Sequence, residues 1–198
     1  MPLQNLSSRK RGEKKFKRFF LLFLILSFFF ICRELDAATF NLTLQKGWNL
    51  VSLPLAGDGT PLSQIFNPIR SSYPDVWQYN SFDVEDKWKH FTYAAEGFSD
   101  LKIASPLAGY WINADSLSSF TLDGQIPAQN FTLHLKTGWN LFGWPYLYES
   151  YIEDAFPDLL YSVDFDQIST INPVSKAQED YFDNPNFNDF DKFSPGKA

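Results

Sequence analysis

Apolar and polar positions alternate along two stretches of this chain that read almost alike. Residues 39–54 are TFNLTLQKGWNLVSLP and residues 130–145 are NFTLHLKTGWNLFGWP. Phe40, Leu42 and Leu44 alternate with polar neighbours, and so do Phe131, Leu133 and Leu135. A period of two with one apolar face predicts a half-buried strand in each place. Lys46-Gly47 and Thr137-Gly138 then supply a turn, where glycine permits positive φ. The runs Trp48-Asn49-Leu50-Val51 and Trp139-Asn140-Leu141-Phe142 predict a second strand returning beside the first. Pro54 and Pro145 stop it, because proline cannot donate to a ladder. The expectation is a hairpin-like start to a β unit, used twice at an offset of about 90 residues, which is domain-sized duplication.

The pattern between the two copies continues in short pieces. Thr60 and Pro61 before Leu62, Ile65 and Phe66 predict a short helix with one apolar face, and residues 149–156 repeat its spacing through Ile152, Ala155 and Phe156. Residues 75–79, DVWQY, are rich in β-formers and are matched weakly by residues 161–165, YSVDF. Residues 87–91 alternate around Trp88. Gly109-Tyr110-Trp111-Ile112 predicts a further strand, and Phe120-Thr121-Leu122 closes the unit. Short strands, turn residues between them and 18% aromatic residues predict a mainly β fold. The form expected is a short-stranded sandwich or partly open barrel with one or two short helices, tandem-duplicated.

The second copy is shorter than the first. No counterpart of Gly109-Tyr110-Trp111-Ile112, or of Phe120-Thr121-Leu122, follows residues 193–198. A β unit without those strands leaves backbone donors and acceptors unpaired along an edge. Either the chain is a fragment of a larger extracellular protein, or another chain fills the edge by strand addition. The first is the expectation, because the tail from Gln178 is polar and carries no compensating cap; residues 161–198 are then expected to be loosely ordered while residues 39–125 stay protected.

The N-terminus changes the picture of where the protein works. Seven Lys and Arg side chains fall between Arg9 and Arg18; Phe19 to Cys32 is apolar except for Ser27, and Ala37-Ala38 follows. Basic region, short apolar region and small residues together predict a signal peptide at residues 1–38, with the mature chain beginning near Thr39. The apolar run is short of the roughly 20 residues a spanning helix needs, so the membrane is met only through this segment if it stays uncleaved. The expected location is secreted, periplasmic or cell surface. Cleavage removes eight of the 17 basic residues and three of the 23 acidic ones, leaving nine against 20, a net charge of −11. That balance opposes nucleic-acid binding. It also removes Cys32, the only cysteine, and with it disulfide and thiolate-metal chemistry.

At this point the residues carry a resemblance. Gly47-Trp48-Asn49-Leu50 with Pro54, the second Gly138-Trp139-Asn140-Leu141 with Pro145, and the late Gly109-Tyr110-Trp111-Ile112 resemble a repeat module of bacterial secreted and cell-surface proteins. The resemblance covers residues 39–125 as a first unit and residues 130–198 as a second, C-terminally incomplete one. It implies an extracellular location and paired β units, often beside other extracellular domains, and it brings no catalytic site.

Candidate chemistry is sparse. The two histidines, His90 and His134, sit in no metal-spaced pattern, and His134 falls on the polar side of its alternating stretch. No Gly-x-Ser-x-Gly, P-loop or dinucleotide fingerprint is present. Trp48, Trp139 and Trp111 are expected in the core, Trp48 and Trp139 in equivalent places. Trp77, Tyr79, Trp88 and Tyr110 are the residues that could form an exposed platform for sugar rings, since alternation puts Trp77 and Tyr79 on one face. Asp183, Asn184, Asn186, Asn188 and Asp189 concentrate oxygen ligands of the kind calcium prefers, although the glycine and glutamate of an EF-hand loop are missing. No other cofactor is implied. The leading reading is a non-catalytic secreted or surface-exposed structural or adhesive β module, its partners a surface polysaccharide or another extracellular β domain. The alternatives are a carbohydrate-binding module using the exposed aromatics and, third, a secreted hydrolase.

Overall fold

The computed structural model describes residues 37–57, 59–72, 74–126, 131–156, 166–182 and 185–198. The signal segment lies outside the described residues, and so does the proposed strand at residues 161–165. Contacts gather residues 36–198 into one compact unit. The fold is mainly β, built of several small sheets with few short helices, and no closed barrel is formed among the described residues.

Two layers enclose the larger core. Strand β1 (Ala37–Leu44) pairs along its whole length with β6 (Ser118–Gln125) as an antiparallel ribbon. Strands β2 (Gly47–Ser52), β5 (Gly109–Ala114), β3 (Asp75–Tyr79) and β4 (Trp88–Thr92) form a four-stranded antiparallel sheet in the order β2-β5-β3-β4. Leu42, Leu44, Phe120 and Leu122 from the ribbon meet Val51, Val76, Phe91, Tyr110 and Ile112 from the sheet. Helix α1 (Leu62–Ile65) and a 3-10 turn at Asn67–Ser72 close the side, burying Leu62, Ile65, Phe66 and Ile69. The helical spacing read from the sequence thus serves the core, with Phe66 edge-on to Phe120 at 5.5 Å.

One expectation needs correction. β1 and β2 are not a hairpin: β1 belongs to the ribbon and β2 to the sheet, so the glycine turn is a corner between layers. Asn49 builds that corner. Its Oδ1 accepts from Gln45 N at 2.9 Å, and its Nδ2 donates to Gln45 O and Gly47 O, each at 2.8 Å. Gly47 stands at φ 87°, where a side chain is strained. The Asn49 amide also reaches Ile112 O on β5 at 3.2 Å, which fixes the corner to the sheet.

The corner decides which way Trp48 points. Asn49 takes the inward position, so Trp48 must face out; it is 44% exposed, and Trp139 is 68% exposed. The expectation that both are buried is therefore wrong. Trp111, between inward-facing Tyr110 and Ile112 and so in the opposite phase of the alternation, is likewise only half-buried.

The later part of the chain forms a second, smaller core. Strand β7 (Ser150–Tyr151) pairs with β10 (Lys192–Phe193), and β8 (Ile168–Ile171) pairs with β9 (Gln178–Tyr181). Helix α2 (Ile152–Ala155) lies where the repeated spacing places it. Trp144, Ile152, Tyr181 and Phe193 are buried together, with Phe193 stacked on Trp144 at 5.0 Å. The polar tail is thus capped after all: Phe193 enters this core, Ser52 N donates to Gly196 O at 3.0 Å, and Gly196 sits against Phe40. Residues 131–135, by contrast, form no strand among the described residues, because nothing there pairs with them as β6 pairs with β1.

Candidate functional site

The four-stranded sheet has an inner face on the core and an outer face whose composition is aromatic. Alternation and register place Trp48 of β2, Trp111 of β5, Trp77 and Tyr79 of β3, and Trp88 and His90 of β4 on that outer face. Trp111, Trp77 and His90 are direct cross-strand neighbours, and Tyr79 lies opposite Trp88. The rings form three contacts: Trp48 with Trp111 at 6.5 Å edge-on, Trp77 with His90 stacked at 4.2 Å, and Tyr79 with Trp88 at 5.1 Å. Trp111 and Trp77 oppose each other in register yet lean toward different partners. Trp88 is 46% exposed and the other members are partly exposed.

Polar groups stand among the rings. Asp75 lies between Trp77 and His90, accepting from the Trp77 indole N–H at 3.2 Å through Oδ2 and pairing with His90 Nε2 through Oδ1. The indole N–H groups of Trp48, Trp88 and Trp111 have no acceptor among the described residues, so they are free to donate outward. Asn113, directly opposite Asp75, adds an amide on the same face.

The face is held rigidly. Main-chain Leu101 N donates to His90 O at 3.0 Å, and Asp100 Oδ1 accepts from His90 N at 2.7 Å, so residues 100–101 cover the free edge of β4. Partial burial pushes the Asp100 carboxyl up, but the His90 N–H and its other hydrogen bonds outweigh this and hold it below the usual range. The β3–β4 loop is closed by Asx turns: Asn80 Oδ1 accepts from Phe82 N, and Asp83 Oδ1 from Glu85 N and Asp86 N. Lys89 joins Asp83 and Asp86, each at 3.0 Å. The Asp86 N–H first, then Lys89, lower the Asp83 pKa, and the same ion pairs raise that of Lys89.

The rest of the chain borders this face on two sides. At one end Leu141 lies against Gly109, and Gly143 approaches Ala108 and Ser52 so closely that only glycine fits there. Ser52 Oγ donates to Trp144 O at 3.1 Å, and Leu50, in phase with Trp48, is buried. At the β2 edge the Lys176 ammonium donates to Trp48 O at 2.7 Å, and partial burial lowers its pKa.

The other sequence candidates fall elsewhere. Tyr110 is fully buried; its hydroxyl accepts from Ser105 N at 2.8 Å, so it belongs to the core and not to the aromatic platform, because it shares the inward phase with Ile112. Asp183 and Asn184 lie outside the described residues. Asn188 Oδ1 accepts from Phe182 N at 2.7 Å and Asp189 Oδ2 from Asp180 N at 3.0 Å, so both oxygens pin the loop's own backbone. No cluster of three or more metal-ligating His, Cys, Asp or Glu side chains occurs among the described residues. His134 is exposed. The His90 ring pairs through Nε2 with Asp75 and stacks on the Trp77 indole.

Sequence reasoning found Trp77, Tyr79 and Trp88 but missed Trp48, Trp111 and His90. The signal for His90 was present, since it alternates in phase with Trp88. Trp48 and Trp111 could be found only from the inward commitment of Asn49 and Ile112. Among the described residues no helix is long and apolar enough to cross a membrane. No family model, curated protein or solved structure matches this chain.

Proposed function

We propose that the chain is a non-catalytic, exported adhesive β module that holds carbohydrate on the aromatic outer face of its four-stranded sheet. The observation that carries this reading is the clustering of Trp48, Trp111, Trp77, Tyr79, Trp88 and His90 on one half-exposed face, opposite a fully packed core. A pyranose offers an apolar C–H face to an aromatic ring and equatorial hydroxyls to polar groups at its rim. The unengaged indole N–H groups supply donors, and the Asp75 carboxylate and Asn113 amide supply acceptors. A soluble monomer seldom leaves so much aromatic surface in one place without a partner.

Export is supported by the basic and apolar series before Ala37, and bacterial surface placement by the resemblance of the repeated motif. The excess of acidic side chains in residues 39–198 repels acidic polysaccharides, so the ligand class is a neutral glycan. The hydrolase alternative draws no support from the His90–Asp75 pair, which faces indole rather than a hydroxyl. The test is a pull-down of the exported chain on insoluble neutral and acidic polysaccharides, followed by a glycan array. Retention on neutral polymers alone is expected; retention on none refutes the proposal.

A further inference from the structure

The six rings of the outer face follow one diagonal of the four-stranded sheet. Trp48 on β2 lies level with Asn113 on β5, Asp75 on β3 and Thr92 on β4. Trp111, Trp77 and His90 occupy the next outward level, and Tyr79 with Trp88 the level beyond. The other two corners of the face carry no ring. At the Trp48 level β4 presents Thr92, and on the Tyr79 side of Trp111 the outward positions of β5 and β2 are Gly109 and Ser52. Those two are roofed by the later part of the chain: Leu141 Cδ1 lies 2.8 Å from where a Gly109 Cβ would stand, and Gly143 packs on Ser52. What stays open is a strip from Trp48 to Trp88.

The strip has a length, a profile and a twist. With strands about 4.8 Å apart and residues about 3.4 Å apart along each, it crosses about 14 Å and advances about 14 Å, a diagonal of about 20 Å. Its two ends are its most exposed members, Trp48 at 44% and Trp88 at 46%, while Trp111, Trp77 and Tyr79 between them are half-buried. A pocket for the end of a sugar chain has the opposite profile, closed beyond its last contact. The ring planes also turn along the strip, by 81° between Trp48 and Trp111 and by 62° between Tyr79 and Trp88. The flat face of a crystalline polymer needs coplanar rings. A single chain, whose successive sugars rotate about their glycosidic bonds, meets rings set at angles.

We propose that this strip binds the interior of a single, extended neutral polysaccharide chain, entering over one end ring and leaving over the other. A pyranose advances the chain by about one strand spacing, so about four consecutive sugar units lie on the strip. Asp75 and Asn113 stand beside its Trp48 half, where they meet sugar hydroxyls, and the rings carry the apolar faces of the sugars. This assignment rests on the carbohydrate reading above and adds to it the length, the shape and the chain position of what is held.

The test is titration calorimetry of the exported chain with neutral oligosaccharides of two to six units, prepared by partial hydrolysis of cellulose, mannan, xylan, chitin and starch. In a series that binds, affinity is expected to climb about tenfold or more from two units to four and to change less than about twofold from five to six. Reducing the terminal sugar to its alditol should leave the six-unit affinity unchanged, because an interior segment is what the strip holds. Trp48→Ala and Trp88→Ala, at opposite ends, should each weaken six-unit binding about tenfold and two-unit binding less than about twofold, at wild-type urea midpoints. Affinity that is flat with length, or lost on reduction, overturns the assignment while carbohydrate binding stands. So does a polysaccharide that retains the chain although none of its oligosaccharides up to six units binds. Retention on no polysaccharide overturns both.

Discussion

Asn49 and Asn140 occupy the same place in the same motif, and the structure gives them different energetic weights. Asn49 is 1% exposed and makes four hydrogen bonds, one of them across to β5. Replacing it with alanine removes all four and strands Ile112 O and the Gln45 backbone in a region that water reaches poorly. At about 1 kcal/mol net per bond, Asn49→Ala should cost about 3–4 kcal/mol. For a domain of this size that is a fall in Tm of about 6–16 °C, at about 2–4 °C per kcal/mol. Asn140 makes three bonds within its own turn and accepts a fourth from Ser81 Oγ at 2.8 Å, but it is only half-buried, so water replaces part of what is lost and Asn140→Ala should cost about 1–2 kcal/mol. Urea unfolding of the exported chain, followed by tryptophan fluorescence, gives both values from the midpoints at unchanged slope. Equal shifts for the two variants would refute the reasoning, because they would mean that burial does not set the cost of losing the corner's hydrogen bonds.

Three further outcomes are expected. Gly143→Ala places a Cβ 2.4 Å from Ala108 O and 2.8 Å from Ser52 Cβ, and should destabilise by about 1–3 kcal/mol in the same urea assay; Gly97→Ala meets nothing within 4 Å and should be neutral. Phe193→Ala empties a site shared with Trp144, Phe142 and Phe156, and should cost about 3–5 kcal/mol; an unchanged midpoint would restore the picture of a dispensable tail. The folded-state pKa of Asp83 is depressed by the Asp86 N–H and Lys89, so its stabilisation is present above the ordinary carboxylate pKa of about 3.9 and is lost as pH falls through the folded value. A carboxyl-carbon NMR titration should place the Asp83 midpoint below that value, and Lys89→Met should move it up; a midpoint at or above the ordinary value would contradict the loop geometry.

Much of the fold was legible because the first copy obeys simple periodicity. Residues 75–79, 88–92, 109–114 and 118–125 alternate as strands should, and Leu62, Ile65 and Phe66 mark one helical face. The layer assignment was not legible: a glycine turn between two alternating runs reads as a hairpin, and only the Asn49 side chain, bonding back to Gln45, makes it a corner. The same asparagine misled the reading of Trp48 and Trp139, since a repeated tryptophan suggests a core whereas the repeated asparagine beside it holds the inward place. Residues 131–135 carry a strand pattern without a strand, because pairing is a property of the neighbour and not of the segment. In the candidate site, alternation predicted that Trp77 and Tyr79 share a face, but it could not say which face looks outward. Register with Ile112 and Val76, both buried, settles that and removes Tyr110 from the platform.

The account rests most heavily on the aromatic face as a binding surface. Trp88 is the member to remove, because it is 46% exposed and contacts only Tyr79 among the described rings. Affinity electrophoresis of the exported chain in gels containing a soluble neutral polysaccharide, with Trp88→Ala and the exposed-aromatic control Phe98→Ala alongside, measures its contribution. The account predicts that Trp88→Ala weakens retardation about tenfold, equivalent to about 1.4 kcal/mol, while its urea midpoint and the retardation of Phe98→Ala stay at wild-type values. Wild-type retardation of Trp88→Ala, or an equal loss in Phe98→Ala, would contradict it.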